Sequence, residues 1–350
     1  MSGDRLRVIV AAPLSQADAK RIVELEPRID LILDKDLLPP MRHAADFAGD
    51  PSFRRSRAQQ SMFDTLVDSA DVLYGIPDVD STALARTVRS NQGLRWVQTM
   101  AAGGGAQVKA AGLSAAELDR VVFTTSAGVH GGPLAEFAVF GVLAGAKDLP
   151  RLTAQQRWHR WTDRWPMRQV SDMTVLVLGL GGIGCATASR LKSLGANVIG
   201  FSRSGQGAPE GVAGERIEQL PAYLAEADAV VVTLPGTRST ERLLDDGFFE
   251  AVKPGVIIVN VGRGTVIDED ALFRALEVRR VGFAALDVFA EEPLAQDSPL
   301  WRHPNVLVSP HTAALDPREE RRIAELFADN ATRFLDGREL RNVVDTVEFY

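Results

Sequence analysis

Short apolar runs rich in Val, Ile and Leu, bounded by Gly, Pro, Asn or Asp, alternate along this chain with longer stretches whose apolar positions recur at helical spacing. Runs of the first kind predict strands buried on both faces, and stretches of the second kind predict amphipathic helices. In the first third, strands are predicted at 6–11, 31–33, 71–75, 94–98 and 121–124, with helices at 15–25 and 80–90 entered from a capping Ser and Asp. The segment 49–60 breaks the rhythm. Its Arg54, Arg55 and Arg57 offer charge to an anionic ligand, but the composition reads as a solvated loop. A long helical stretch over 133–160 follows. The alternation then restarts, with strands predicted at 174–178, 197–201, 229–234, 256–261, 282–286 and 305–309 and a final helix over 317–336. Strand–helix alternation predicts parallel βαβ units, so the fold class is α/β, with two doubly wound parallel-sheet domains joined by helices. No tandem repeat and no low-complexity tract interrupts them.

At 350 residues the chain is long enough for two such domains, each with its own core. Apolar residues make up 45% and charged residues 24%, the balance of a globular protein rather than a disordered or fibrous one. Lys and Arg number 39 against 46 Asp and Glu, a net charge of −7. An acidic chain lacks the field that holds nucleic acid or anionic lipid, so neither is expected as a partner. The single cysteine, Cys185, forms no intramolecular disulfide and no thiolate cluster, and no metal site is expected. The apolar run 8–14 is too short to span a membrane and lacks a signal-peptide cleavage region. The longest apolar stretch, 134–146, already contains Glu136. One cysteine suits a reducing compartment, and the protein is expected to be cytoplasmic.

The chemistry begins at the first strand of the second half. Strand 174–178 runs into Gly179-Leu180-Gly181-Gly182-Ile183-Gly184, which opens a helix through Leu194. This is GxGxxG with a strand before it and a helix after it. Gly179 allows the tight turn, Gly181 lets the backbone approach a pyrophosphate, and Gly184 lets the helix pack on the strand, while the helix start offers N–H groups to the anion. About 20 residues on, an NAD site carries an Asp or Glu for the ribose 2′-hydroxyl. Here the next strand ends in Ser202-Arg203-Ser204. A guanidinium and two hydroxyls suit a 2′-phosphate, so NADP(H) is the expected cofactor, ahead of NAD.

Three later segments fall at predicted strand ends, where open α/β sheets bind ligands. They are Asn260-Val261-Gly262-Arg263-Gly264, the stretch from Asp287 through Glu292-Pro293-Leu294, and Ser309-Pro310-His311-Thr312-Ala313-Ala314. Singly, each has a plain structural explanation. Together they supply what reduction of a 2-oxo acid requires. An Arg binds the carboxylate bidentately. A His beside the carbonyl oxygen gives up a proton. A carboxylate next to that His favours its protonated form and orients it.

In this order the motifs GLGGIG, NVGRG, DVFAEEPL and SPHTAA resemble those of the D-isomer-specific 2-hydroxyacid dehydrogenase family. Thr233-Leu234-Pro235-Gly236-Thr237 through Thr240 and Leu134-Ala135-Glu136-Phe137 are similar too. So are the intervals of 29 residues from Arg263 to Glu292 and 19 from Glu292 to His311. The likeness covers nearly the whole chain. It implies a flavodoxin-like substrate domain over 1–127 with 313–350, a central Rossmann cofactor domain over 128–312, and a terminal helix that returns to the first domain. It implies a catalytic trio of Arg263, Glu292 and His311. Asp287 would hold the nicotinamide carboxamide, and Leu234, Pro235, Thr240, Val261, Gly262, His311 and Ala313 would line the cofactor site. The turn Ala101-Ala102-Gly103-Gly104 matches the family's substrate loop, whose N–H groups would hold the carboxylate alongside Arg263 and His311. Trp158, Trp161 and Trp165 fall where a homodimer arm would lie; core packing explains a Trp cluster equally well.

The chain departs from the family pattern at Gly104 and Gly105, where an acidic residue often follows the loop glycine, and at Thr125, where Asn is usual. His130, near the hinge, is a candidate for substrate contact or for hinge packing. Formate is a poor substrate candidate because the formate-oxidising relatives carry Gln at the position of Glu292. The expected activity is NAD(P)H-dependent reduction of a small 2-oxo acid to the D-2-hydroxy acid, with glyoxylate and hydroxypyruvate as first candidates. The rival reading is an NAD(H)-sensing scaffold of the corepressor kind on the same fold.

Overall fold

The computed structural model describes residues 5–43, 45–347 and 349. The chain divides into two compact units, Met1–His130 with Leu315–Tyr350, and Gly131–Ala314. In the first unit β1 (Leu6–Val10), β2 (Ile29–Ile32), β3 (Val72–Tyr74), β4 (Trp96–Gln98) and β5 (Val122–Thr124) form one sheet in the order β2-β1-β3-β4-β5. Every neighbouring pair is parallel, the flavodoxin-like order. Helices α1 (Gln16–Leu25), α2 (Arg57–Val67) and α3 (Ser81–Ser90) start at side-chain caps: Ser15 accepts from the Asp18 N–H, Ser56 and Gln59 form a reciprocal box, and Asp80 accepts from the Ala83 N–H. Two short helices, α4 (Gly105–Ala110) and α5 (Ala115–Arg120), flank the path to β5.

The segment expected as a solvated loop, 49–60, is only half that. Residues from Arg57 onward form the first turn of α2. The Arg55 side chain is only 6% exposed, paired with Asp78 at 2.7 Å and stacked 3.8 Å over the Phe63 ring. Its charge is neutralised and its stem covered, which a count of arginines does not reveal.

The chain's terminal helix, Glu319–Leu335, belongs to the first unit, as the family resemblance implies. Phe327 and Trp96, both fully buried, stack with ring centroids 4.8 Å apart, and Tyr74 meets Phe327 edge-on at 5.1 Å. Polar ties fix the helix against α1: Arg321 to Asp18 at 2.8 Å and Thr332 to Glu26 at 2.7 Å.

In the second unit β6 (Thr174–Leu178), β7 (Asn197–Ser202), β8 (Ala213–Arg216), β9 (Ala229–Val232), β10 (Val256–Asn260), β11 (Val281–Leu286) and β12 (Val306–Val308) make a parallel sheet in the order β12-β11-β10-β9-β6-β7-β8. This is the Rossmann order extended by one strand. Strand β8 escaped the sequence reading because AGER is a polar edge strand with no apolar run. The predicted helix over 133–160 is two helices, α6 (Gly131–Ala146) and α7 (Leu149–Arg157). Asp148 turns left-handed at φ 56° between them, and Pro150, which supplies no N–H to a preceding turn, opens the second. Helix α6 lies so close to the sheet that a Cβ at Gly141 would come within 2.9 Å of the Val259 and Ala285 side chains. Helices α8 (Gly182–Ser193), α9 (Asp246–Ala251) and α10 (Glu269–Glu277) complete the unit. Among the described residues no helix is long and apolar enough to cross a membrane.

Because Phe327 stacks on Trp96 in a fully buried site, Phe327→Ala should destabilise the protein by about 3–5 kcal/mol. Urea denaturation should register this as a lower midpoint with no change in slope, whereas an exposed control such as Val278→Ala should leave the midpoint in place.

Candidate active site

Strand β6 delivers its chain into the glycine turn at the carboxyl edge of the second sheet. Gly179 sits at φ 103°, a region open to glycine. At Gly184 a Cβ would fall 1.8 Å from the Gly179 carbonyl oxygen, so this residue sets the contact between α8 and the turn. A Cβ at Gly181 would meet nothing within 4 Å, which leaves open space over the turn. The first intrahelical bond runs from the Cys185 N–H to the Gly181 carbonyl, so the N–H groups of Gly182, Ile183 and Gly184 precede it. A bare backbone before helix N–H groups that are uncommitted among the described residues fits a pyrophosphate.

At the end of β7, Ser202 donates to the Gln206 carbonyl, Ser204 accepts from the Gln206 N–H, and Arg203 is exposed. After β9, Thr233 donates to the Leu178 and Gly179 carbonyls, which ties this strand end to the glycine turn. Leu234 and Pro235 follow, and Thr240 closes their turn by donating to the Pro235 carbonyl at 2.6 Å.

After β10, Asn260 clamps the next turn from both sides. Its amide donates to the Arg263 carbonyl and its oxygen accepts from the Gly262 N–H. Val261 is buried there. Gly262 and Gly264 have no room for a Cβ, which would meet the Leu234 carbonyl at 2.5 Å and the Phe289 backbone at 1.8 Å. Between these two compressed glycines Arg263 is exposed, and among the described residues its Nη1 donates only to the Gly262 carbonyl.

After β11 comes Asp287, fully buried. One carboxylate oxygen accepts from the Ser309 hydroxyl at 2.5 Å and from the Thr312 and Ala313 N–H groups at 3.0 Å. The other oxygen, Oδ2, is buried with no partner among the described residues. An orphaned acceptor of that kind fits an incoming amide N–H, such as the carboxamide of a nicotinamide.

His311 and Glu292 meet: Nδ1 lies 2.7 Å from Oε2, and the other carboxylate oxygen accepts from the Phe289 N–H. Burial pushes the Glu292 carboxyl upward. The hydrogen bonds from His311 and Phe289 and the charges of His311 and Arg263 outweigh it, and the carboxyl is held below its ordinary range. An ionised carboxylate only accepts, so Nδ1 carries the proton in this pair and Nε2 is the outward-facing nitrogen. His311 itself is held left-handed at φ 53°.

One residue that sequence reasoning missed supports this loop. Glu269, at the start of α10, accepts from the Ala290 N–H at 2.6 Å. Burial pushes its carboxyl up, opposed by that bond and reinforced by Asp270, Asp268 and Glu292. A Glu in a first helical turn reads as a dipole partner, so nothing in its local pattern signals the reach to residue 290.

In the first unit, the turn after β4 is exposed at Ala101, Ala102 and Gly103. A Cβ at Gly104 would strike the Thr99 hydroxyl at 1.8 Å, and the Gly104 N–H is engaged by the Ala101 carbonyl at 3.2 Å. Gly104 is therefore a conformational residue rather than a donor. The Ala102 and Gly103 N–H groups make no hydrogen bond among the described residues. His130 is buried against Glu319, with Nε2 2.8 Å from Oε1, so it packs inside this unit at the start of the terminal helix. Among the described residues no group of His, Cys, Asp and Glu is arranged to hold a metal ion.

A Rossmann sheet, a glycine turn open to a pyrophosphate and a His–Glu pair beside an exposed Arg define the class of nicotinamide-dependent oxidoreductases. Comparison with known proteins narrows it. The model of the D-isomer specific 2-hydroxyacid dehydrogenase NAD binding domain matches residues 139–313. The chain is 32% identical over 241 residues to the D-3-phosphoglycerate dehydrogenase of Archaeoglobus fulgidus, which covers 67% of this chain and 44% of that protein. It thus spans less than half the length of that relative. It is 32% identical over 236 residues to the glyoxylate reductase of Aeropyrum pernix, covering 64% of this chain and 70% of that one. The solved D-isomer specific 2-hydroxyacid dehydrogenase of Xanthobacter autotrophicus Py2, in complex with NADPH and MES, superposes with a TM-score of 0.77 at 30% identity, over 99% of this chain and 100% of that one. The chain belongs to the D-isomer specific 2-hydroxyacid dehydrogenase family, a class of NAD(P)-dependent oxidoreductases acting on CH–OH donors.

The two glycines of the turn should separate folding from binding. Gly181→Ala should fold normally and weaken dinucleotide affinity at least tenfold in a fluorescence titration, because its Cβ would fill the space left for the pyrophosphate. Gly184→Ala should lower the melting temperature before any ligand is added.

Proposed function

We propose that this protein is an NADP(H)-preferring reductase of small 2-oxo acids, producing the D-2-hydroxy acid. The observation that carries the reading is the His311–Glu292 pair at 2.7 Å, with Arg263 near enough to lower the Glu292 carboxyl. The cofactor fits the second unit: Gly181, Gly182, Ile183 and Gly184 would hold the pyrophosphate, and Asp287 Oδ2 would accept from the carboxamide. Leu234, Pro235, Thr240, Val261, Gly262 and Ala313 would shape the walls. When bound, the reduced nicotinamide supplies a hydride to the carbonyl carbon.

The protein's own groups do the rest. Arg263 offers a two-pronged donor to the substrate carboxylate, and the Ala102 and Gly103 N–H groups offer two more. As the imidazolium, protonated on both ring nitrogens, His311 gives its Nε2 proton to the carbonyl oxygen as charge builds there, and the ionised Glu292 keeps the other proton on Nδ1 and orients the ring. For the 2′-phosphate, Ser202, Arg203 and Ser204 provide a cation and hydroxyls where an NAD site carries a carboxylate. The NADPH bound to the Xanthobacter relative supports this preference. The glyoxylate reductase of Aeropyrum supports a substrate with a small side chain. The names of these relatives give the corepressor-like scaffold no support.

We further propose a cytoplasmic homodimer formed through the arm that follows α7. Trp161 is fully exposed and Trp158 is 70% exposed, which removes core packing as the reason for these two aromatics. Trp165 instead stacks under Arg151 at 3.8 Å.

Loss of reduced-nicotinamide absorbance with glyoxylate and hydroxypyruvate tests the reaction. Turnover should favour NADPH over NADH, and Arg203→Ala should cut that preference at least tenfold. His311→Ala should lower kcat by about 10²–10⁴; a loss below tenfold in a folded variant would remove it as the acid. Arg263→Lys should chiefly raise KM, since a point charge cannot replace a fork. In gel filtration, replacing Trp158 and Trp161 together by Ser should halve the apparent mass.

A further inference from the structure

The turn that offers its N–H groups to the substrate carboxylate has nothing of its own to anchor it. Ala101-Ala102-Gly103-Gly104 carries no side chain larger than a methyl group, and glycine gives up more backbone freedom on ordering than any other residue. Its shape must come from its surroundings. Beside it, at the ends of β4 and β5, lies a polar layer. Gln98 pairs with Thr124 in the parallel ladder, and Gln98, Thr99, Thr124 and Ser126 are all fully buried.

The layer is one connected set of hydrogen bonds. Trp96 Nε1 donates to the Thr124 hydroxyl at 2.7 Å, and that hydroxyl donates to Gln98 Oε1 at 2.8 Å. Gln98 Nε2 donates to the Thr99 carbonyl at 3.0 Å and to the Ser126 hydroxyl at 3.3 Å. The Ser126 hydroxyl donates in turn to the same Thr99 carbonyl at 3.1 Å. From this frame, donors converge on one acceptor in the turn. The Ala101 carbonyl takes the Thr99 hydroxyl and the Ser126 N–H, each at 3.3 Å, besides the turn's own Gly104 N–H. Thr99 bounds the turn sterically as well, since its hydroxyl occupies the place of a Gly104 side chain.

Apolar residues would fill the same space without the cost of burying polar groups. What they cannot do is fix the direction of a carbonyl. The Ala101 carbonyl and the Ala102 N–H belong to one planar trans peptide unit, so holding the first points the second the opposite way. The Ala102 and Gly103 N–H groups make no hydrogen bond among the described residues. We propose that Thr99 and Ser126 are positioning residues for substrate binding: anchored through Gln98, they hold the Ala101 carbonyl and so set the direction of the N–H groups that receive the substrate carboxylate. The inference rests on the reductase reading above and adds to it the residues that turn a stretch of Ala and Gly into a donor pair.

Conservative replacements separate this role from plain stability. Thr99→Val keeps the shape but supplies no donor, and should raise KM for glyoxylate about tenfold, with kcat and the Kd for NADPH within about twofold of wild type. Thr99→Ser keeps the hydroxyl and should return KM to the wild-type value. Ser126→Ala, which releases the Thr99 carbonyl on one side, should raise KM about threefold; should Thr99→Val fail to fold, this variant carries the test. An unchanged KM in the folded variants, an equal rise in Thr99→Val and Thr99→Ser, or a fall in kcat with KM unchanged would overturn the proposal. A wild-type protein that reduces no 2-oxo acid would instead sink the reductase reading. Calorimetric titration with oxalate then decides the turn without turnover. Binding weakened about tenfold in Thr99→Val and kept in Thr99→Ser upholds the proposal; equal binding in all three proteins, or none in the wild type, overturns it.

Discussion

The geometry of the second unit's site hangs on one buried carboxylate. Asp287 stands at the end of β11 with no exposed surface, and one of its oxygens gathers the Ser309 hydroxyl and two backbone N–H groups from the segment that carries His311. Hydrogen bonds to a charged group contribute about 1.5–3 kcal/mol each. Three of them exceed the roughly 1–3 kcal/mol that a left-handed non-glycine residue costs, so His311 stays at φ 53°. That backbone aims the imidazole at Glu292, and the Glu292 carboxylate is held in turn by the Phe289 N–H. Asp287 therefore fixes the segment that carries His311, while its own second oxygen is left without a partner among the described residues.

The features that the sequence carries openly are those enforced by backbone sterics and strand ends. GLGGIG is legible because each glycine answers a different spatial demand, from the φ of 103° at Gly179 to the missing room at Gly184. The strand ends are legible because the strands of this parallel sheet leading to them are continuous apolar runs, so Arg263, Asp287 and His311 stand out as polar residues after β10, β11 and β12. The flavodoxin-like and Rossmann assignments of the two domains and the return of the terminal helix came instead from the family likeness. Nothing in the period of Glu319–Leu335 says that Phe327 will stack on Trp96.

What stayed hidden are contacts between residues far apart in sequence and elements that do not need to be apolar. Strand β8 is polar because it is an edge. Glu269 reaches 21 residues along the chain to the Ala290 N–H, and a helix-start Glu looks the same whether or not it does so. Gly104 has the composition of a donor loop, yet its N–H closes its own turn on Ala101 and its missing side chain makes room for Thr99. In each case the local pattern supplies the residue type and the tertiary fold supplies the role.

The sharpest instance is the contrast between two arginines. Arg263 and Arg55 both sit in irregular segments, and by residue type either would serve an anion. Arg263 is exposed between glycines too compressed to bear side chains, and among the described residues its one side-chain hydrogen bond is to the carbonyl of Gly262. Its field is therefore available to a carboxylate. Arg55 follows Phe53 and packs over Phe63, with Asp78 and the Leu37 carbonyl engaging two of its three nitrogens. Its charge is paired with Asp78 and its guanidinium is covered by the Phe63 ring. The same side chain thus presents an open charge in one unit and a paired, covered one in the other, and burial with pairing, rather than the residue itself, makes the difference.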